Sequence, residues 1–173
     1  ADSFGCKKLN SRNDLWVDPD GDIYCSDPRY GSAEGIEQDG YHVFYIPADG
    51  GSLRRVLDNL DKPNGIIGTP DGRTLYVADH GAEKIFRYDI LSPGRLGPAK
   101  LFAEQPCDGM ALDPEGRLYA TIGGVTIYSR EGEKLAHISE PDHTSNIAID
   151  PRASDLFYVT TPNRVYTLRI KLP

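Results

Sequence analysis

One pattern recurs four times along this chain and leaves few folds open to it. An oxygen-bearing residue is followed, five positions on, by an Asp-Pro or Thr-Pro pair. The units are NDLWVDP from Asn13, NGIIGTP from Asn64, DGMALDP from Asp108 and SNIAIDP from Ser145, so the openings lie 51, 44 and 37 residues apart. A turn and a second apolar run follow each (Ile23-Tyr24, 74–78, Leu118-Tyr119, Phe157-Tyr158), then a third at 42–46, 84–90, 124–128 and 164–170. Short runs rich in Ile, Val, Tyr and Phe, bounded by Gly, Pro and Asp, are strands rather than helices. Asp-Gly and Pro-Asp-Gly supply the turns between them, because Gly accepts φ > 0 and Pro presets φ for a tight bend. Self-similarity every ~40–50 residues with four strands per unit is the signature of a β-propeller, built of four-stranded antiparallel blades. The fold class expected is therefore all-β, with about four blades present.

Residues 53–59, 101–104 and 134–139 supply outer strands, and 92–98 reads as a Pro/Gly-rich surface turn. The longest loop, 27–41, carries charge and three glycines, and loops of that length in compact domains are usually lids or mobile segments. Trp16, Tyr24, Tyr76, Tyr119 and Phe157-Tyr158 recur at matching places and are expected to pack blade on blade. No linker or composition shift divides the 173 residues, so one domain is expected. The pattern is already under way at Ala1, where residues 4–9 resemble the tail of an earlier unit, and it stops after a third strand. The missing fourth strand would come from residues 1–9 or from elsewhere. We therefore expect the C-terminal two-thirds of a longer, six-bladed protein, with a closed four-bladed form as the alternative; in an incomplete propeller, exposed sheet edges would invite self-association.

A net charge of −7 argues against a nucleic-acid partner and suits a protein that holds a cation. No run of about 18 apolar residues exists, so no transmembrane helix is expected. The compartment stays unassigned; a periplasmic or secreted location would require an upstream signal peptide. Cys6, Cys25 and Cys107 lack metal spacing and are expected to be small buried hydrophobes, a Cys6–Cys25 bridge being the alternative.

In a propeller the first strand of each blade lines the channel, so the opening residues converge at one end of the axis. Here they are Asn13, Asn64, Asp108 and Ser145, four oxygen donors with one formal negative charge. Such a set suits a hard divalent cation such as Ca²⁺, which takes 6–8 oxygen ligands including waters. The competing explanation is that these residues only make the turns entering each strand. His80 and His143 fall in turns and His42 and His137 in strands, without the spacing of a catalytic dyad; G-x-S-x-G is absent. Cys107 has no assigned base, and Asp27 and Asp79, each three residues after a Tyr, are expected to cap turns.

The stretches PNGIIGTPDGRTLYVADHGAEKIFRYDI, CDGMALDPEGRLYAT with GGVTIYSREGEKL, and NDLWVDPDGDIYCSDPRYG resemble the SMP-30/gluconolactonase (regucalcin-like, luciferin-regenerating-enzyme-like) family along essentially the whole chain. The resemblance implies a six-bladed propeller holding one divalent metal, Ca²⁺ foremost, with Zn²⁺, Mg²⁺ and Mn²⁺ as alternatives. It also implies hydrolysis of a small-molecule sugar lactone or related ester; a non-catalytic Ca²⁺- or ligand-binding scaffold, or an inactive incomplete propeller, is the alternative. It places metal ligands at Asn64, Asp108 and Asn13, with Asp108 also the catalytic base. Substrate contacts fall to Asn13, its neighbour Asp14 and Arg12, which stands one position past the place where some members carry an Arg and this chain has Ser11. The family's remaining ligand, a Glu opening the first blade, has no counterpart here and would lie upstream of Ala1.

Overall fold

In the computed structural model, which describes residues 2–140 and 142–170, every regular element is a strand. The chain divides into two compact units, Ala1–Pro106 and Cys107–Pro173.

The first unit opens with a two-residue ribbon, β1 (Ser3–Phe4) against β2 (Lys7–Lys8). Gly5 and Cys6 both take positive φ, 57° and 63°, as the tight turn of a two-residue hairpin requires. This puts Cys6 on an exposed tip while Cys25 and Cys107 are buried, and none of the three is in a disulfide. The expectation of a buried Cys6 is thus overturned, and the Cys6–Cys25 alternative is not realised. Gln38 Nε2 ties the ribbon down by donating to the carbonyls of Lys7 (3.0 Å) and Lys8 (2.9 Å).

The first blade follows as β3 (Leu15–Val17), β4 (Ile23–Asp27), β5 (His42–Ile46) and β6 (Arg54–Leu57), antiparallel in that order. The second is β7 (Pro63–Gly68), β8 (Thr74–Asp79) and β9 (Lys84–Ser92), with β10 (Arg95–Leu96) and β11 (Lys100–Ala103) both paired to β9. The segment read as a surface turn, 92–98, turns at Pro93-Gly94 and forms the tip of a longer hairpin. Gly94, at φ 66°, donates its N–H to the Tyr24 hydroxyl (3.0 Å), so the tip returns onto the first blade. Between the two blades lies a core of Tyr24, Val43, Tyr45, Leu75, Val77 and Tyr88. Each such side chain contributes about 1.5–3 kcal/mol on burial. Trp16 packs over Gly68, where any Cβ would collide with the indole. A small residue in β7 is what admits a large one from β3.

The second unit holds β12 (Met110–Leu112), β13 (Leu118–Thr121), β14 (Val125–Tyr128) and β15 (Lys134–Ile138) as one sheet. Its other sheet is β16 (Asn146–Asp150), β17 (Ala153–Thr160) and β18 (Val165–Arg169). Tyr119 and Phe157 meet at 4.5 Å between ring centroids, within a core that includes Val125, Ile127, Ile147 and Val159. Tyr158 departs from the expected packing. Neighbours alternate faces on a strand, so burying Phe157 turns Tyr158 outward, where its hydroxyl donates to Asp150 Oδ2 (2.8 Å). Among the described residues the last sheet has three strands.

Candidate functional site

Each inner strand begins with the same local device. Asn13 donates its N–H to the Ser26 carbonyl (3.1 Å), while Ser26 donates its own to the carbonyl of Asp14 (3.0 Å). Two residues of one strand thus oppose one of the other, which is a β-bulge. The second blade repeats it: Pro63 pairs with Asp79 and Ile66 with Val77, leaving Asn64 and Gly65 opposite Ala78. In the third, Asp108 N–H reaches the Thr121 carbonyl (3.2 Å) and Thr121 N–H the Gly109 carbonyl (3.0 Å). In the fourth, Ser145 N–H donates to the Thr160 carbonyl (2.8 Å) while Asn146 pairs with Thr160. Bulges bend the strand and re-aim a side chain, and they gather beside functional sites. The four residues picked out by the repeat therefore occupy one equivalent position, the first residue of a bulge.

Their surroundings differ. Asn64 is 4% exposed, and its Oδ1 is buried without a hydrogen-bond partner. An unsatisfied buried amide oxygen is costly, roughly 1–3 kcal/mol, and calls for an explanation such as a bound ion or water. Asn13 and Arg12 are exposed. Asp14 is half-buried; its Oδ1 accepts the Leu15 N–H (2.9 Å) and its Oδ2 that of Ile66 (3.1 Å), which ties the first blade to the second. With Leu15, Ile23 and Cys25, these three residues line a groove of about 310 Å³ on the first blade. Ser145 Oγ is engaged by Thr160 Oγ1 (2.9 Å).

Asp108 is half-exposed at the head of β12, and its Oδ2 lies 3.4 Å from His143 Nε2. Behind it, Thr121 Oγ1 donates to the Gly109 carbonyl (2.9 Å) and accepts the Gly109 N–H (2.9 Å). A side chain at Gly109 would strike Asn146, so glycine is required for this strand to approach β16. Cys107 is fully buried, with Sγ 3.4 Å from the Gly109 carbonyl, and serves packing rather than nucleophilic attack. Burial pushes the Cys25 thiol up to about 11, which leaves it unreactive.

Asp27 and Asp79 cap turns, as their spacing predicted. Asp27 accepts the N–H groups of Asn10 (2.8 Å) and Ser11 (2.9 Å), and Asp79 those of Asp61 (2.9 Å) and Lys62 (2.8 Å). Burial raises the Asp27 pKa against the pull of those two bonds. The residue that sequence reasoning passed over is His143. A signal existed: it stands two positions before a blade opening, the place held by Ser11, Lys62 and Pro106 in the other units.

The oxygens of Asn13, Asn64 and Asp108 fit a hard cation by donor type, and the orphaned Asn64 Oδ1 is the observation that supports the fit. Among the described residues no three His, Cys, Asp or Glu side chains cluster as a metal site.

Residues 1–163 match the family model described as the SMP-30/Gluconolactonase/LRE-like region. The gluconolactonase of Zymomonas mobilis subsp. mobilis is 30% identical over 192 residues, covering 99% of this chain and 53% of its own length. A solved gluconolactonase structure from Xanthomonas campestris superposes with a TM-score of 0.89 at 32% identity, covering 98% of this chain and 60% of the other. A calcium-binding protein, regucalcin, from Agrobacterium tumefaciens shares the fold at 21% identity and a TM-score of 0.75, over 91% of this chain and 60% of its own. This chain spans about half the length of the curated relatives it matches, 53% for the Zymomonas protein.

Proposed function

The chain belongs to the SMP-30/gluconolactonase/LRE-like family, and from that premise we propose that it is part of a metal-dependent hydrolase of sugar lactones or related esters. The observation that carries the reading is the buried, unpartnered Oδ1 of Asn64, at the same bulge position as Asp108. The proposal requires that the four blades form one propeller domain in which Asn13, Asn64 and Asp108 share an ion. It also requires that the family's Glu ligand come from outside these 173 residues.

Asn13, Asn64 and Asp108 would hold a divalent cation, Ca²⁺ being the best match to amide and carboxylate oxygens, and it would supply Lewis-acid polarisation of the lactone carbonyl. Asp108 removes a proton from water as the water oxygen bonds to the carbonyl carbon. The ring C–O bond then breaks, and the proton returns to the departing ring oxygen, giving the open hydroxy acid. Asn13 and Arg12, both exposed, face solvent where they would meet the substrate's hydroxyl groups, and Asp14 fixes the backbone beside them.

Titration calorimetry with Ca²⁺ and Zn²⁺, beside a pH-stat assay on δ-lactones, tests the proposal. Binding with hydrolysis supports it. Binding alone would favour a non-catalytic cation-binding propeller instead. Neither, together with concentration-dependent association, would mark an incomplete propeller pairing through its sheet edges.

A further inference from the structure

We propose that His143 is a positioning residue for the Asp108 carboxylate and so sets the rate of the lactone hydrolysis proposed above, on which this inference rests. Its Nε2 lies 3.4 Å from Asp108 Oδ2. That contact is long, but catalytic hydrogen bonds in ligand-free sites are often long and tighten when substrate binds. With Nε2–H donated to Oδ2, the carboxylate keeps one orientation, and the lone pairs of Oδ1 are left for the cation and for the proton from water.

The chain around His143 is built to hold that ring in place. On one side, Asp142 Oδ2 accepts the Tyr166 hydroxyl (3.1 Å). On the other, the buried Thr144 Oγ1 accepts the N–H groups of Ile122 and Gly124 (3.1 Å each) and donates to the Gly124 carbonyl (2.7 Å). Ser145 is fixed in turn to Thr160 through backbone and hydroxyl. His143 itself is exposed, so its neighbours rather than its own burial restrict it.

The turn gripped by Thr144 is strained. Ile122 has φ 141°, a value that a β-branched residue rarely takes, and it stands where Asp27 and Asp79 cap the turns of the first two blades. Such strain persists only where the surroundings over-determine the backbone, and it gathers at functional sites. In the third blade the carboxylate cap has been replaced by a clamp from the segment that carries His143. A side chain on a doubly pinned backbone loses little further freedom when it orients a partner, the arrangement expected of a support beneath a catalytic group.

A separation of 3.4 Å would also suit two ligands on one zinc ion. Imidazole is a poor ligand for the hard cation proposed above. The assignment is therefore donor, not ligand.

The test is His143→Leu and His143→Gln in the full-length protein, with kcat and KM on glucono-δ-lactone, Ca²⁺ affinity by calorimetry and thermal unfolding. We expect His143→Leu to lower kcat about tenfold, the low end for loss of a supporting partner, with KM and Ca²⁺ affinity within about twofold of wild type. Unfolding should not move, and His143→Gln, whose amide N–H can stand in for Nε2–H, should recover most of the rate. An unchanged kcat in His143→Leu overturns the role. So does a loss of Ca²⁺ affinity in both variants, since a ligand and not a support would then have been removed. If the wild-type protein turns over no lactone, the hydrolase reading falls first and this role with it. Turnover that is indifferent to His143 removes the role alone.

Discussion

The two ends of each inner strand can be compared directly, because the repeat supplies both four times over. At the far end every unit closes on an Asp-Pro or Thr-Pro turn whose oxygens are taken up locally. Asp18 Oδ1 accepts the N–H groups of Asp20 (3.0 Å) and Asp22 (2.9 Å), Asp113 Oδ1 that of Arg117 (2.8 Å) and Asp150 Oδ1 that of Arg152 (2.8 Å). In the second blade Thr69 Oγ1 accepts the Thr74 N–H (3.1 Å). The opening end is different. Asn10 Oδ1, His42 Nδ1, Asn64 Oδ1 and His80 Nδ1 are all buried without partners, and all lie at the openings of the first two blades. Polar residues at the two ends of one strand thus do different work. Carboxylates with filled valences hold turns, and polar atoms left open are available to a ligand.

The sharpest way to break this contrast is to remove one acid from each end. Asp108→Ala should abolish cation binding and cut lactone turnover at least a hundredfold, as loss of a general base does, with little change in the urea midpoint. Asp113→Ala should do the reverse. Asp113 is buried, and its Oδ2 accepts both Arg117 Nε (2.5 Å) and the Tyr119 hydroxyl (2.9 Å), so its loss strands a cation and a hydroxyl. A destabilisation of about 3 kcal/mol in urea is expected, with kcat per folded molecule unchanged. Equal effects of the two variants on both readouts would erase the distinction between the ends.

Much of this was legible in the sequence because the repeat fixes it. A period-2 run between Gly-Pro-Asp turns has one way to fold, and fourfold repetition averages out the ambiguity of any single run. That is why His42–Ile46 falls on its expected bounds as β5 and why Asp27 and Asp79 are caps. What escaped was whatever the repeat does not share. The Arg95–Leu96 extension depends on a docking partner, the Tyr24 hydroxyl, that no local pattern reveals. The exposed Cys6 follows from two consecutive positive-φ residues, of which only Gly5 announces itself. The approach of His143 to Asp108 needs a clamp made by Thr144 across a strained Ile122, and neither residue carries a signal by type alone. Bulges at the openings were likewise invisible, since a one-residue excess on one strand leaves the hydrophobic alternation of the next nearly intact.

A smaller effect is expected from Gly109→Ala, which tests whether the opening end depends on backbone approach as well as on donors. The added methyl would collide with Asn146, and relief by shifting β12 or β16 should cost roughly 1–3 kcal/mol, the range for overpacking. Because Asp108 moves with that strand, kcat should fall along with stability. A stable variant with full activity would show that the close approach of the two strands is incidental to the site.

The smallest effect belongs to the turn end and reads as a pH dependence. Asp22 accepts the Tyr45 hydroxyl in a short bond and the Ala48 N–H at 2.8 Å. The Tyr45 bond first, and then the backbone bond, hold its carboxyl below the ordinary 3.8. A carboxyl with a depressed folded-state pKa binds its proton later than the same group in the unfolded chain, so the unfolded state takes up more protons as pH falls. The stability it contributes is therefore complete above about pH 5 and is lost as pH drops through 3.8 toward the depressed value. Asp22→Asn should leave the urea midpoint at pH 7 lower than wild type and flatten its decline between pH 5 and 3. If Asp22→Asn instead kept the wild-type acid limb, this turn-end carboxyl would not be a group whose protonation weakens the fold.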